Sequence, residues 1–310
     1  MNLVFMSNVD KASLWKKFLK AELPDLNFQK WSEHTFAPED VDYVLAWKPG
    51  AGEIAKFKNL KAILSLGAGI DGIVCDPELP KDVPVSRLVD RCLTQGMTEY
   101  IAYWVLHFHR RMGEYAASMA DGNWVNYLQA DTEERNIGIL GLGELGSDAA
   151  RALTAFNFRV SGWSRSPKSQ DGVTSFHGAD GLKNIVAESE ILICLLPLTD
   201  ETSGILNAGL FAGMPKGSVL INCARGAHLV DSDLIEALDT GHLSAAVLDV
   251  FHEEPPKPDH PFWDHPNVTM TPHMASLTVP SSAAIYIADN IRRVERGELP
   301  LNLIDLDKGY

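Results

Sequence analysis

The chain of 310 residues is long enough for two moderate domains, and its 45% hydrophobic content supplies a sizeable core. A formal net charge of −14 argues against nucleic acid and anionic membrane surfaces as partners, because binding to phosphates needs a cationic surface. No stretch reaches the roughly 20 apolar residues that span a bilayer. The N-terminus also lacks the pattern of a signal peptide, so we expect a cytoplasmic protein.

The first third of the chain alternates between strand-like and helix-like patterns. Apolar runs at residues 3–5, 43–46 and 62–65 are typical of strands, and residues 13–19 form an amphipathic stretch. This alternation predicts a separate small α/β domain.

Four cysteines are scattered along the chain, at Cys75, Cys92, Cys194 and Cys223. They form no close pair in the sequence, and two of them lie in or beside apolar runs. We therefore expect reduced core thiols rather than disulfides or metal ligands, and no metal site.

Two long helical patterns suggest how the domains are connected. One runs from Thr98 to about Met119, with Thr98 as its cap, and links two domains; the other runs from Ser281 to about Glu295. If the last helix packs back on the first domain, that domain is discontinuous. The predicted domains are a substrate-binding (lid) domain of residues 1–97 and 280–310 and a dinucleotide-binding domain of residues 98–279.

A glycine-rich pattern, Gly141-Leu-Gly143-Glu-Leu-Gly146, follows an apolar run and precedes a helix-like stretch. In a dinucleotide-binding loop the first glycine makes the turn, the second lets the backbone approach a pyrophosphate, and the third lets the helix pack on the strand. An ordinary strand-to-helix turn could carry the same spacing. Further strand-like runs favour dinucleotide binding; they lie at residues 159–163, 191–196, 218–222, 245–249 and 268–271.

These patterns together predict the fold class. We expect an α/β protein with two Rossmann-like or flavodoxin-like domains, whose parallel sheets flank a cleft, and a discontinuous substrate domain.

Three residues beyond the glycines have the types that reduction of a 2-keto acid requires. Arg225 can grip carboxylate and carbonyl oxygens with its planar fork, although a surface arginine after a strand is the alternative. His273 is the candidate general acid, and Glu254 would hold its other ring nitrogen and favour its charged form. Glu253 is an adjacent alternative, but the spacing to the following proline selects Glu254. The other nine histidines, His228 among them, fit solvated or structural roles better.

The choice of cofactor depends on a position about 20 residues beyond the glycines, where NAD-binding proteins carry an acidic residue. Here that position is Ser164, and Arg165, Ser166 and Lys168 follow it. The serine removes a carboxylate that would repel a 2′-phosphate, and the cluster supplies donors to bind it. The sequence therefore predicts NADP(H) as the preferred cofactor, with NAD(H) possible. A solvated basic loop would have the same composition.

Six segments, taken in order, resemble the family of D-isomer-specific 2-hydroxyacid dehydrogenases across nearly the whole chain. They are residues 67–71, 141–146, 195–199, 221–226, 248–255 and 271–273. Within that family, Trp47-Lys-Pro49 and Trp163-Ser-Arg-Ser166 are most similar to the branch that reduces glyoxylate and hydroxypyruvate.

The resemblance implies NADPH-dependent reduction of a small 2-keto acid to the D-2-hydroxy acid, with hydride from nicotinamide C4 and a proton from His273. It also implies a homodimer built through the nucleotide domain, and a loop at Gly67, Ala68 and Gly69 whose N–H groups bind the carboxylate, although a simple tight turn fits that loop too. Trp47 would form one side of the substrate pocket; a position in the hydrophobic core is an equal alternative.

The resemblance also implies the residues that contact the cofactor. They are Gly141, Gly143, Glu144, Leu145, Gly146, Ser164, Arg165, Ser166, Lys168, Leu196, Pro197, Cys223, Ala224, Arg225, Asp249 and His273.

Two other functions stay open. One is an NAD-linked D-2-hydroxyacid dehydrogenase for lactate or phenylpyruvate, and the other is a non-catalytic protein that senses dinucleotides. Ser164 counts against the first, and the set of Arg225, Glu254 and His273 counts against the second.

Overall fold

The computed structural model describes residues 1–306. Contacts divide the chain into two compact units: one contains Met1–Leu93 and the chain from Leu277 onward, and the other contains Thr94–Ser276. These boundaries differ from the predicted ones by four and three residues. The assignment of one unit to the substrate stays a prediction.

The first unit is built on a five-stranded parallel sheet. Its strands are β1 (Asn2–Met6), β2 (Asn27–Lys30), β3 (Tyr43–Ala46), β4 (Ala62–Ser65) and β5 (Val85–Ser86), and its helices include α1 (Ala12–Glu22) and α2 (Asp71–Val74). The spatial order β2-β1-β3-β4-β5 is the flavodoxin-like order. The central strands β3 and β4 are buried on both faces, which is why they are continuous apolar runs.

Helix α3 (Arg91–His109) corrects the prediction for the long helical stretch. It begins at Arg91, where the Asp90 carboxylate accepts a hydrogen bond from the Cys92 N–H at 3.1 Å. Thr98 therefore does not cap the helix; it lies inside it, and its hydroxyl donates to Asp148 at 2.6 Å. The predicted continuity to Met119 is also wrong, because Arg111 takes a left-handed conformation (φ 57°) and a separate helix, α4 (Met112–Ala120), follows.

The second unit contains a seven-stranded parallel sheet with helices on it. The strands are β6 (Asn136–Leu140), β7 (Arg159–Ser164), β8 (Val173–His177), β9 (Ile191–Cys194), β10 (Ser218–Asn222), β11 (Leu243–Leu248) and β12 (Val268–Met270). The helices are α5 (Glu144–Ala155), α6 (Gly178–Glu188), α7 (Ala208–Gly213) and α8 (Asp231–Asp239). The spatial order β12-β11-β10-β9-β6-β7-β8 is the Rossmann order with one added strand, and it reverses between β6 and β9.

The last helix, α9 (Pro280–Glu295), returns to the first unit. Its buried face, which includes Ala283 and Ile287, shares a core cluster with Trp15 and Leu19 of α1. The first unit is therefore made of two chain segments, and the predicted fold class, α/β with two parallel sheets, is confirmed. Short 3₁₀ turns occur at Trp31–Glu33, Ile54–Lys56, Thr132–Glu134, Gly226–His228 and Pro261–Trp263.

The irregular segment after α4 exposes large apolar side chains. Trp124 and Leu128 are 93% and 90% exposed. In the part of the chain that the structure describes, no helix combines the length and apolar composition needed to cross a membrane.

The prediction of four core thiols is half correct. All four cysteines are free; Cys194 and Cys223 are buried, whereas Cys75 and Cys92 are exposed. Burial raises the pKa of the Cys194 thiol to about 12 and that of Cys223 well above its ordinary value, so both stay protonated. Cys92 lies in the first turn of α3, on its exposed side.

Candidate active site

Three neighbouring strands of the second unit carry the predicted catalytic residues just beyond their carboxyl ends. Arg225 follows β10, Glu254 lies in the loop after β11, and His273 follows β12. The carboxyl ends of parallel strands share one edge of the sheet, which is where ligands bind in doubly wound folds.

His273 and Glu254 form a close pair. The His273 Nδ1 lies 2.8 Å from the Glu254 Oε2, and their side chains are 30% and 25% exposed. The other carboxylate oxygen of Glu254 accepts the Phe251 N–H at 3.2 Å, which holds the carboxylate within its own loop. The pair fixes the ring orientation and leaves Nε2 as the nitrogen that can give a proton.

The backbone around His273 is held by Asp249, which is 1% exposed at the end of β11. His273 has a positive φ of 52°, an uncommon conformation for a side chain of this size. Its N–H donates to the Asp249 carbonyl at 2.9 Å, and the Asp249 carboxylate accepts the N–H groups of Met274 and Ala275 at 2.8 and 2.9 Å. Asp249 is therefore a positioning residue for His273, and its direct contact with a cofactor stays a prediction.

Two hydroxyl groups, those of Thr271 and Tyr100, extend this hydrogen-bond network to α3. The Thr271 hydroxyl donates to the Asp249 carboxylate at 2.5 Å and lies 2.7 Å from the Tyr100 hydroxyl. Because the single Thr271 proton goes to Asp249, Tyr100 is the donor in the second bond. Burial raises the pKa of Tyr100, so its hydroxyl keeps that proton, and burial likewise raises the pKa of Asp249 against the hydrogen bonds that lower it.

Two hydrogen bonds hold the loop that contains Arg225. The fully buried Asn222 donates through Nδ2 to the Arg225 carbonyl at 3.1 Å, and the Arg225 Nη1 donates to the Ala224 carbonyl at 2.6 Å. A Cβ at Gly226 would lie 2.0 Å from the Phe251 carbonyl carbon, so only glycine permits this approach. The loop that bears Arg225 is thus packed directly against the loop that bears Glu254.

The glycine-rich loop has the geometry that its three roles require. Gly141 has a φ of 109°, and a Cβ there would lie 2.7 Å from the Leu195 carbonyl oxygen. A Cβ at Gly146 would lie 1.9 Å from the Gly141 oxygen, whereas one at Gly143 would meet no atom within 4 Å. The loop therefore turns tightly, packs closely on its helix, and leaves the side of Gly143 open at the N-terminus of α5, where Glu144 and Leu145 lie.

The side chains of the cluster that follows β7 have different hydrogen-bond and ion-pair partners. Ser164 is buried and its hydroxyl donates to the Ser166 carbonyl at 2.8 Å. The Lys168 ammonium donates to the Leu142 carbonyl, within the glycine-rich loop. Arg165 is half exposed and lies 3.7 Å from a carboxylate oxygen of Glu201. Lys168 is therefore placed at the predicted phosphate loop, and no carboxylate occupies position 164.

The first unit presents the predicted carboxylate loop beside Trp47. Trp47 follows β3, and the loop Gly67-Ala68-Gly69 follows the neighbouring β4. A Cβ at Gly67 would lie 2.5 Å from the Trp47 ring, so the indole is packed on this glycine. The Gly67 N–H is already donated to the Ser65 hydroxyl at 3.2 Å. Ala68 and Gly69, the other members of the predicted carboxylate loop, are partly exposed.

Several contacts at the site involve residues to which the sequence assigned no role, namely Tyr100, Thr271 and Asn222. His228, for which a solvated or structural role was predicted, is fully buried. Asn222 and Thr271 stand inside the motifs that bear Arg225 and His273, so the motifs contain the only signal that could have found them. Tyr100 reaches Thr271 across 171 positions, and no local pattern reports such a contact. Within residues 1–306, no group of histidine, cysteine or acidic side chains has an arrangement suited to a metal ion.

A glycine-lined helix N-terminus at the reversal of strand order, beside an arginine and a histidine–glutamate pair, defines a dinucleotide-dependent oxidoreductase. Comparison with known proteins narrows this class. The family model described as D-isomer specific 2-hydroxyacid dehydrogenase, NAD binding domain, matches residues 102–275, more than half of the chain. The glyoxylate/hydroxypyruvate reductase A of Serratia proteamaculans is 43% identical over 315 aligned positions, which cover 100% of both chains.

Two solved structures are similar over the same length. The D-isomer specific 2-hydroxyacid dehydrogenase from Xanthobacter autotrophicus Py2, in complex with NADPH and MES, is 42% identical with a TM-score of 0.96, over 100% of this chain and 99% of its own. The NADPH-dependent glyoxylate/hydroxypyruvate reductase from Sinorhizobium meliloti, in complex with NADP and sulfate, is 34% identical with a TM-score of 0.93 over the same shares. The chain belongs to the family of D-isomer-specific 2-hydroxyacid dehydrogenases, as its motifs predicted.

Proposed function

We propose that the protein catalyses the NADPH-dependent reduction of glyoxylate, hydroxypyruvate or a similarly small 2-keto acid to the D-2-hydroxy acid. The observation that carries the proposal is the His273–Glu254 pair at 2.8 Å, which lies beyond the carboxyl ends of β12 and β11, while Arg225 follows β10, the neighbour of β11. The names of the Serratia and Sinorhizobium relatives, which share full-length similarity with this chain, support the choice of substrate.

Each of the three residues has a distinct task in this reaction. Arg225 binds the substrate carboxylate and carbonyl oxygen through its planar fork, which draws electron density from the carbonyl carbon. The nicotinamide cofactor, when bound, supplies a hydride to that carbon. The Nε2 of protonated His273 then gives its proton to the carbonyl oxygen, which becomes the hydroxyl, and Glu254 stabilises the charged ring until that moment.

NADPH is the proposed cofactor, with NADH as a weaker alternative. The open space at Gly143 and the unpaired N–H groups that begin α5 fit a pyrophosphate. Lys168 is already at this loop, and the serine at position 164 offers no carboxylate to the ribose. The complexes of the Xanthobacter and Sinorhizobium proteins with NADPH and NADP support the same choice.

Binding of the substrate carboxylate is proposed for the N–H groups of Ala68 and Gly69, with Gly67 shaping the loop. Trp47 packs on Gly67, so its ring is proposed to limit the side-chain length of the acid.

Assembly and location are also proposed. The exposed Trp124 and Leu128 support a homodimer that forms through the second unit. The free cysteines support a reducing, cytoplasmic location.

The test is a panel of 2-keto acids assayed with both cofactors. We expect oxidation of NADPH with glyoxylate and hydroxypyruvate, slower reaction with NADH, and the D enantiomer from substrates that give a chiral product. Absence of turnover with every acid, despite tight binding of NADPH, would leave a dinucleotide-binding protein without this activity. Faster turnover of pyruvate or phenylpyruvate with NADH would assign a different substrate and cofactor.

A further inference from the structure

His228 lies three residues beyond Arg225 and has no exposed surface. A fully buried imidazole needs hydrogen-bond partners on its nitrogens, because an unpaired polar group in the interior is costly. The ring nitrogens of His228 contact backbone groups of the loops that follow β9 and β10.

The contacts of the two ring nitrogens favour one neutral tautomer. The His228 Nε2 lies 3.2 Å from the Pro197 carbonyl oxygen, which can only accept a hydrogen bond, so Nε2 carries the proton of the neutral ring. Nδ1 lies 3.2 Å from both the N–H and the carbonyl oxygen of Arg225, and without a proton it accepts from the N–H. This tautomer gives both the Arg225 N–H and the Pro197 carbonyl a hydrogen-bond partner.

The backbone around the ring reinforces this arrangement. The His228 N–H donates back to the Arg225 carbonyl at 3.2 Å, and the His228 carbonyl accepts the Leu206 N–H at 2.8 Å. The Pro197 carbonyl also accepts the Thr202 hydroxyl at 2.7 Å, which closes the turn after β9. The imidazole therefore lies between two loops, and hydrogen bonds hold the backbone of each loop in place.

We propose that His228 is a positioning residue that couples the loop bearing Arg225 to the loop bearing Leu196 and Pro197. This inference rests on the proposed function, in which Arg225 anchors the substrate and the Leu196-Pro197 loop faces the cofactor. Each ring nitrogen serves one loop: Nδ1 sets the substrate anchor and Nε2 sets the loop at the cofactor.

Two substitutions of His228 test the roles of its two ring nitrogens separately. In His228→Asn the amide oxygen can take the place of Nδ1 and accept the Arg225 N–H, but the side chain is too short to reach Pro197. In His228→Gln the amide NH₂ can take the place of Nε2 and donate to Pro197, but the acceptor that Nδ1 offers to the Arg225 N–H is lost. The matched control is His242→Asn, because His242 also bonds a backbone carbonyl, that of Phe211 at 2.7 Å, but precedes β11 at the opposite end of the sheet.

The readouts are the Kd for NADPH by fluorescence titration and the KM for glyoxylate. We expect His228→Asn to weaken NADPH binding about fivefold with little change in KM, since one hydrogen bond is typically worth about that factor. We expect His228→Gln to raise the KM about fivefold with little change in the Kd. His242→Asn should change neither.

Two results overturn the coupling role. One is that both His228 variants behave like His242→Asn, and the other is that each variant shifts KM and Kd together in proportion to its loss of thermal stability. If neither variant folds, ¹⁵N NMR of the wild-type protein still decides, because a protonated Nδ1 contradicts the inferred tautomer. Arg225→Lys tests the proposed function separately: if that variant is impaired while the His228 variants are not, only the coupling role falls.

Discussion

His273 is held by two sets of contacts that act on different parts of the residue. Glu254 orients the ring through Nδ1, whereas Asp249 holds the backbone in its left-handed conformation through its carbonyl and its carboxylate. A change at Glu254 should therefore affect proton transfer without releasing the loop. A change at Asp249 should affect both.

Glu254→Gln should lower kcat/KM for glyoxylate. Reduction needs a His273 ring that donates its proton from Nε2, and a neutral amide stabilises the charged ring less than a carboxylate does at 2.8 Å. The measurement is kcat/KM for glyoxylate. Glu253→Gln is the control, because the exposed Glu253 faces Lys257 at 3.7 Å and should leave kcat/KM unchanged. An unchanged kcat/KM in Glu254→Gln would contradict the proposed role of Glu254.

Arg225→Lys should reduce kcat/KM about a hundredfold, or about 2.7 kcal/mol of transition-state stabilisation, because an ammonium keeps the charge but loses the bidentate fork. The Kd for NADPH should stay near the wild-type value. Arg151→Lys, on the exposed face of α5, serves as the control for the same exchange. Near wild-type efficiency of Arg225→Lys with every active acid would show that another residue anchors the substrate.

The residues proposed for the chemistry were chosen from the sequence because their types follow from the proposed reaction, and the structure brings His273 and Glu254 together as a pair. Arginine, histidine and glutamate each stand in a short local pattern, so no knowledge of distant contacts was needed. Tyr100 and His228 act through contacts with backbone or with residues far along the chain, and their surroundings are set only by folding. Sequence patterns alone carry no signal for such contacts.

At the scale of elements, the strands that the sequence patterns missed are β2, β5 and β8, all at sheet edges. An edge strand can keep partly exposed residues and then lacks the apolar run of a central strand. The alternating exposure of β8 and the polar sequence of β2 fit this cause. Strand β5 is buried, but its two residues are too few to form a recognisable pattern. Central strands such as β10 were predicted with the bounds that the structure has.

The end of β7 is where we expect cofactor preference to be decided. Wild type should favour NADPH over NADH by at least about tenfold, or about 1.4 kcal/mol. Ser164→Asp should reverse the order, since a carboxylate can accept the ribose hydroxyls of NADH and repels a 2′-phosphate. The measurement is kcat/KM for each cofactor, with Ser169→Asp as a control that adds the same charge at an exposed position of the same loop. Equal efficiency of wild type with both cofactors would show that Lys168 and Arg165 do not bind the phosphate.

The loops after β3 and β4 should decide the size of the acid. Trp47→Ala should improve turnover of phenylpyruvate relative to glyoxylate, with a change in discrimination of roughly 1–3 kcal/mol, as is usual for apolar pockets. Trp263→Ala, at a half-exposed position in the second unit, is the control. A ratio that does not move in Trp47→Ala, or wild-type preference for phenylpyruvate, would contradict the proposed role of the indole.

At the scale of the whole molecule, the surface of the second unit bears on assembly. Trp124 and Leu128 are almost completely exposed in the segment that follows α4, and neighbouring Met119 is 44% exposed. We propose that these exposed apolar side chains are part of an association surface. The proposed occupant is a second copy of the same chain.

Trp124→Glu should weaken this association by at least about thirtyfold, because a buried tryptophan is a frequent hot spot and a carboxylate is costly there. Size-exclusion chromatography with light scattering over a dilution series is the measurement. Trp263→Glu, also at an exposed indole, should leave the mass unchanged. A wild-type protein that is monomeric at all concentrations would overturn the proposed dimer.

The exposure of Trp124 also has an optical consequence. The chain has seven tryptophans, and Trp15 and Trp104 are 1% and 9% exposed, so their emission is that of indoles in an apolar medium. An indole that is 93% exposed emits at longer wavelength and is quenched readily by iodide. If Trp124 becomes buried between two copies, dilution should shift the emission of the wild type to the red and increase its quenching, while Trp124→Phe should show neither change. Assembly of the unlabelled protein can thus be followed by its own fluorescence.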